Sequence, residues 1–233
     1  MTKELLSAWN VDFEPVNVEG NLAALQEMVQ LGAPLVPAVA YQGKIVHGWN
    51  PAAVAQLVGV PYSDTPELSP QALRQRLNRI LADAREALER TPVALLETMG
   101  KGRNRTLRNL GYHLFRVAAS YVDSLEGDGL QEAWLQEEAP DSMRTGADLS
   151  QFGAGVQERL ERWFGQAPSA VFGETVYTYY GEQTAHSLLE RTTWHAGQHL
   201  RQIHDLLEQH AVLTPGSLPA ALFDKLPMPR AVW

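Results

Sequence analysis

The residues best suited to chemistry in this chain are its seven histidines, and two of them stand four apart in the segment "RTTWHAGQHLRQIH". At helical pitch, positions i and i+4 lie one above the other on one face. His195 and His199 can therefore chelate a single divalent ion. A third imidazole from a facing helix would leave open positions for water or substrate. The apolar stripe of the same helix runs through Leu188, Leu189, Thr192, Ala196, His199, Ile203 and Leu206, so His199 sits in the stripe and His195 at its edge. His113 borders the stripe of an earlier helix, three residues after Leu110 and four before Val117. His204 lies about 140° around from His199 at about 100° per residue and faces elsewhere. His47, His186 and His210 read as surface or loop positions. Spacing alone favours a bland outcome, because a histidine pair in a core more often hydrogen-bonds than ligates.

Composition narrows the chemistry. The 233 residues contain no cysteine, which excludes disulfides, protein thiolate nucleophiles and Cys-ligated zinc. Any metal must be held by His, Asp or Glu. A net charge of −8 and a pI near 5.4 argue against nonspecific nucleic-acid binding, which needs basic patches. No apolar run reaches the length of a membrane span, and "MTKELLSAWN" lacks the apolar core of a signal peptide. A cytoplasmic location is the default.

The elements that must carry the histidines are helical. "PYSDTPELSP" marks a boundary, with a linker over 61–69. Beyond it, "QALRQRLNRILADAREALER" places Leu73, Leu77, Ile80, Leu81, Ala84 and Leu88 on one side at the helical period. "RTLRNLGYHLFRVAASYVDSLE" does the same with Leu107, Leu110, Leu114, Val117, Tyr121 and Leu125. "DLSQFGAGVQERLERWFG" predicts a third helix, softened by Gly153 and Gly155. "EQTAHSLLERTTWHAGQHLRQIHDLLEQH" predicts the fourth and longest, capped by Thr184. Four helices with one apolar face each make a bundle over 70–211, with long connections either side of the third. The tail, 212–233, is expected to lie over the bundle or the N-terminal segment.

Two stretches carry a family resemblance. "LLERTTWHAGQHLRQI" resembles the last-helix motif of the DinB-like (DinB/YfiT) superfamily, and "LGYHLFRVAASY" resembles its second-helix motif. The resemblance covers about residues 70–210. It implies a four-helix bundle that binds a divalent metal, zinc or nickel foremost, through His113, His195 and His199. It also implies a homodimer. Characterised members include thiol-dependent S-transferases and an isomerase that use bacillithiol, mycothiol or glutathione. The implied function is a metal-dependent transferase joining a small thiol to an electrophile in detoxification or thiol metabolism. A non-catalytic metal-binding, stress-related or interaction module is the alternative. A metal-dependent hydrolase ranks last, since no Glu adjoins the ligand positions. No residue is assigned a catalytic role. Gln202, three beyond His199, can hold its imidazole or touch substrate, and Arg191, four before His195, can receive a carboxylate. Tyr179 and Tyr180 in "VYTYYG" can donate hydrogen bonds in a pocket, although packing explains them equally well.

Residues 1–60 predict helix–strand–helix–strand–strand–helix: "KELLSAWN", "VDFEPVNV", "NLAALQEMVQLG", a hairpin in "LVPAVAYQGKIVHGW" turning at Gln42-Gly43, and "NPAAVAQLVGV". This order resembles a glutaredoxin or thioredoxin-like domain. "LVPAV" matches the place of the family's cis-proline, making Pro37 the candidate, and "GWNPAAV" resembles "GFDPxxL". The family's first strand and C-x-x-C motif are absent, so dithiol exchange is excluded. Either the domain is a remnant kept for packing or binding, or the missing part is encoded upstream of Met1; the second is favoured. The fold class expected is α+β in two domains: a truncated thioredoxin-like α/β domain followed by a DinB-like four-helix bundle.

Overall fold

The computed structural model describes residues 2–18, 20–34, 36–63, 65–100, 105–230 and 232. Leu35 of "LVPAV", Asp64 of the expected linker, residues 101–104 of the bundle span, and Ala231 and Trp233 of the tail lie outside the described residues. The chain divides into two compact units, Met1–Thr65 with Pro227–Ala231, and Pro66–Leu226 with Val232–Trp233.

In the first unit, α1 (Thr2–Ala8) is followed by irregular chain and then α2 (Leu22–Gln30). Asn21 caps α2, its side chain accepting from the Ala24 amide at 3.1 Å. Gly32, at φ +90°, lies just beyond the helix, whose last turn closes on Leu31. Strands β1 (Ala38–Tyr41) and β2 (Lys44–His47) form an antiparallel hairpin with Ala38 opposite His47. Its turn residues, Gln42 and Gly43, both have positive φ, as a two-residue turn of matching twist requires. The Val36–Pro37 peptide bond is cis. Helix α3 (Pro51–Val58) starts from Asn50, which caps the Ala53 amide at 3.0 Å, and ends on left-handed Gly59. The segment "VDFEPVNV" corrects the sequence expectation: residues 11–18 form no strand. Pro15 has no amide to donate, and no described strand lies alongside to pair with the rest.

The second unit is a helical bundle. Helices α4 (Pro70–Glu89), α5 (Leu107–Glu126), α7 (Gly146–Gln166) and α8 (Ala185–Gln209) form it, with the short α6 (Glu132–Gln136) in the α5–α7 connection. Both α4 and α5 pack against α7 and α8, and touch each other little. Consecutive α4 and α5 thus stand diagonally, and α5 and α8 are neighbours. The predicted α4 stripe, from Leu73 to Leu88, is buried throughout. On α5, Leu107, Leu110, Leu114, Val117 and Tyr121 are buried, whereas Leu125 is only half-buried and Ser124 takes the inner position. Helix α7 begins earlier than its apolar pattern suggests, because Thr145 and Asp148 form a reciprocal capping box. A second antiparallel hairpin, β3 (Thr175–Thr178) and β4 (Gly181–Thr184), lies where the sequence shows only a tyrosine cluster. After α8 the tail crosses the bundle. Phe223 lies where a side chain on Gly197 would meet its ring at 3.2 Å, and Leu222 and Leu226 are buried.

Two glycines in α7 behave oppositely. A Cβ on Gly153 would meet the Phe115 ring at 2.5 Å, so this glycine sets how closely α7 approaches α5. A Cβ on Gly155 meets nothing within 4 Å. Gly155→Ala should therefore gain the helix-propensity difference, about 0.5–1 kcal/mol, while Gly153→Ala should lose about 1–3 kcal/mol by overpacking. Urea denaturation of the two variants checks the pair.

Glu190 supplies a pH signature of the same bundle. Burial, aided by the Glu67 carboxylate, pushes it up to about 7 although the Glu67 amide opposes the shift. A carboxyl whose folded pKa is raised contributes stability at low pH that is lost as pH rises through 7. Glu190→Gln should accordingly melt with the wild type at pH 5 and above it at pH 8.5, as read by calorimetry.

Candidate metal centre

Two capped helices bring the imidazoles together. Thr106 starts α5 by accepting from the Asn109 amide at 3.2 Å, and Thr184 starts α8 by accepting from the Ser187 amide at 3.1 Å. These caps fix where each helix begins, and so which residues meet along the α5–α8 contact. His113 projects from α5, and His195 and His199 project from α8 one turn apart. Each offers one ligand nitrogen, and these nitrogens lie within 4.8 Å of one another. Ring centroids are 5.7 Å apart for His113–His195, 4.8 Å for His113–His199 and 4.7 Å for His195–His199. Among the described residues this is the one group of three or more His, Asp or Glu so placed.

Two of the three imidazoles are buried and the third is half-buried. His113 is 3% exposed and His199 9% exposed, while His195 is half-buried. Nδ1 of His199 lies 2.9 Å from Oε1 of Gln202. A carbonyl oxygen only accepts, so Nδ1 carries the proton and Nε2 keeps its lone pair. Nδ1 of His113 is buried with no hydrogen-bond partner among the described residues. A buried polar atom of this kind costs about 1–3 kcal/mol unless something supplies its partner. Three imidazoles with converging ligand nitrogens, one ring oriented by the Gln202 amide and another with a buried unbonded nitrogen, fit a divalent ion.

Burial and neighbouring charge disfavour protonation of His113 and His195. Burial drives His113 down to about 2, with His199 and Arg105 pushing the same way. Burial likewise lowers His195 well below its ordinary value, reinforced by His199, Arg191 and His113. No carboxylate among the described side chains opposes either shift.

The remaining predicted positions separate. Arg191 is buried, and its guanidinium carbon sits 4.3 Å from the centre of the Tyr180 ring. The hairpin makes that contact: Tyr179 and Tyr180 form the β3–β4 turn, with Tyr179 40% exposed. The Tyr180 hydroxyl bonds to the Gln183 amide, and burial raises its pKa. The pairing of Tyr180 with Arg191 is not legible from the sequence, because it depends on a hairpin that the tyrosines obscure. His204 is buried outside the cluster, with neither nitrogen hydrogen-bonded among the described residues. His186 corrects the surface reading: it lies half-buried in the first turn of α8, its Nε2 2.8 Å from the Leu68 carbonyl.

A helical bundle with an imidazole cluster between neighbouring helices defines the class. The chain belongs to the DinB superfamily, whose sequence model matches residues 76–203, more than half of its length. The fold is similar to the crystal structure of a DinB-like protein from Bacillus cereus ATCC 10987, with a TM-score of 0.52 at 12% identity, covering 64% of this chain and 97% of that one. No curated protein sequence matches the chain.

The lowered imidazole pKa values have a thermodynamic consequence. The unfolded chain takes up protons below the ordinary histidine value of 6.5, whereas buried His113 stays neutral down to about 2. Stability from this group is complete above 6.5 and falls as pH drops through that window. The metal-free protein should lose stability between pH 7 and pH 5, and His113→Gln should flatten the slope. Urea midpoints across that range check it.

Proposed function

We propose that the protein is a divalent-metal-dependent transferase that joins a low-molecular-weight thiol to an electrophile, with zinc or nickel held by His113, His195 and His199. The observation that carries this reading is a cluster of three imidazoles whose ligand nitrogens lie within 4.8 Å of one another, one of them only half-buried, in a chain that has no cysteine of its own. A divalent ion bound there would supply Lewis acidity, lowering the pKa of a coordinated thiol so that it reacts as the thiolate. His113 anchors the deep side. Gln202 holds His199 in the tautomer whose Nε2 lone pair would hold the ion, and half-buried His195 would supply the third ligand. In the transfer, the thiol proton passes to solvent and the sulfur pair forms a bond to carbon. The leaving group departs with its own pair, or an activated double bond takes a proton. Bacillithiol, mycothiol and glutathione are the candidate thiols.

Three further assignments accompany this reading. The first unit is taken as a thioredoxin-like domain, supported by its helix–hairpin–helix order and by a helix α2 whose apolar Leu22, Leu25 and Val29 stand exposed. Such a domain would tie the chain to small-thiol metabolism. A homodimer working in the cytoplasm completes the proposal; no described helix is long and apolar enough to cross a membrane. A non-catalytic metal-binding module is the second reading, favoured by the lack of any described carboxylate acting on His113 or His195 that could serve as general base.

His195→Ala and His199→Ala should each abolish stoichiometric zinc or nickel binding under either reading, as measured by metal analysis after dialysis. Only the enzyme reading expects a thiol-dependent conjugation rate that falls by two orders of magnitude or more with them. Gln202→Ala should weaken metal affinity about 10- to 100-fold without removing a ligand. A metal-loaded wild type that neither binds small thiols nor speeds their conjugation rules out the transferase.

A further inference from the structure

Gly197 stands between the two clustered histidines of α8, two residues from each. At about 100° per residue it lies on the side of the helix opposite to that pair. Glycine inside a helix is unfavourable unless its bareness is used, and here it is used. A Cβ at this position would stand 3.2 Å from Cε1 of Phe223, 3.3 Å from its Cδ1 and 3.4 Å from Cδ1 of Ile80. Helix α8 is therefore held between α5, which brings His113 to its ligand face, and a pad of Phe223 and Ile80 behind that face.

The ring belongs to a strap. Helices α4 and α8 run side by side in one direction. Nε2 of His186 meets the Leu68 carbonyl at 2.8 Å near their starts, and Arg90 donates to the Val212 carbonyl at 3.2 Å beyond their ends. The chain then turns back. The Gly216 amide donates to the Glu208 carboxylate at 3.2 Å, Arg76 donates to the Ala221 carbonyl, and Lys225 pairs with Glu67 at 2.9 Å. Residues 212–225 thus return along the α4–α8 seam, pinned at both ends, with Leu222 buried.

We propose that Phe223 is a positioning residue for the three-histidine centre: docked behind Gly197, it sets how far α8 carries His195 and His199 toward His113. This rests on the reading of that cluster as a metal site. Metal–ligand distances vary by only about 0.2 Å, and a methyl 3.2 Å from the Phe223 ring forces a shift of that order. Coupling between two sites is reciprocal, so an ion held in front of α8 also favours the docked strap behind it.

The test titrates cobalt(II) into the full chain, follows its absorption bands, and measures the urea stability of the metal-free protein alongside. Gly197→Ala adds atoms to the contact and Phe223→Ala removes them. Each should weaken cobalt affinity about tenfold or more and move the bands. Phe223→Leu should recover most of the loss, and the double variant should bind more tightly than either single one. In the wild type, saturating cobalt should slow trypsin cleavage after Lys225 several-fold, at protease levels that leave the helices uncut. That measurement stands even if a variant misfolds. Variants that lose urea stability while keeping wild-type cobalt affinity and bands overturn the proposal, as does cleavage after Lys225 that ignores cobalt. A wild type that binds no cobalt instead removes the metal reading itself and this proposal with it.

Discussion

The structure turns on three imidazoles brought together, two buried and one half-buried, with no described carboxylate to balance a proton on His113 or His195. Neutral histidine in such a place is costly unless each nitrogen finds a partner. Gln202 provides one for His199, and the protein leaves Nδ1 of His113 without one among the described residues. His113 and His195 resist protonation, and the three rings bring their ligand nitrogens together. Everything else in the bundle serves to hold that arrangement: two capped helices in direct contact, a glycine that admits Phe115 between α5 and α7, and a tail that packs Phe223 against α8.

The same constraint gives the site its chemical character. His113 and His199 are buried and His195 is half-buried. Low local dielectric strengthens each charge interaction inside. One turn before His195 on α8, Arg191 adds positive charge beside that imidazole and is seated on Tyr180 of the β3–β4 turn. The hairpin is small, but it converts two tyrosines with no evident role into one exposed residue and one platform.

Much of this was legible in the residues. The helical stripes placed α4, α5, α7 and α8, and helical angle kept His204 out of the cluster while stacking His195 over His199. Asn21, Asn50 and Thr184 announced their helices by cap chemistry that acts locally. What stayed hidden depended on contacts distant in sequence. Gly153 reads as a weakness in α7 until Phe115 is seen against it. "VYTYYG" carries too little alternation to declare a hairpin, and His186 shows its carbonyl partner only when Leu68 is brought beside it. The apolar residues of "VDFEPVNV" mimic a strand, yet a strand needs a neighbour, and none of the described chain supplies it.

The most direct test of the account is X-ray absorption spectroscopy of the zinc-loaded protein. The account predicts one zinc per chain with three imidazole nitrogens at about 2.0–2.1 Å, and an added sulfur scatterer at about 2.3 Å when a small thiol is supplied. Zinc bound without histidine scattering, or a shell that still holds three imidazoles when His113 is replaced, would contradict it.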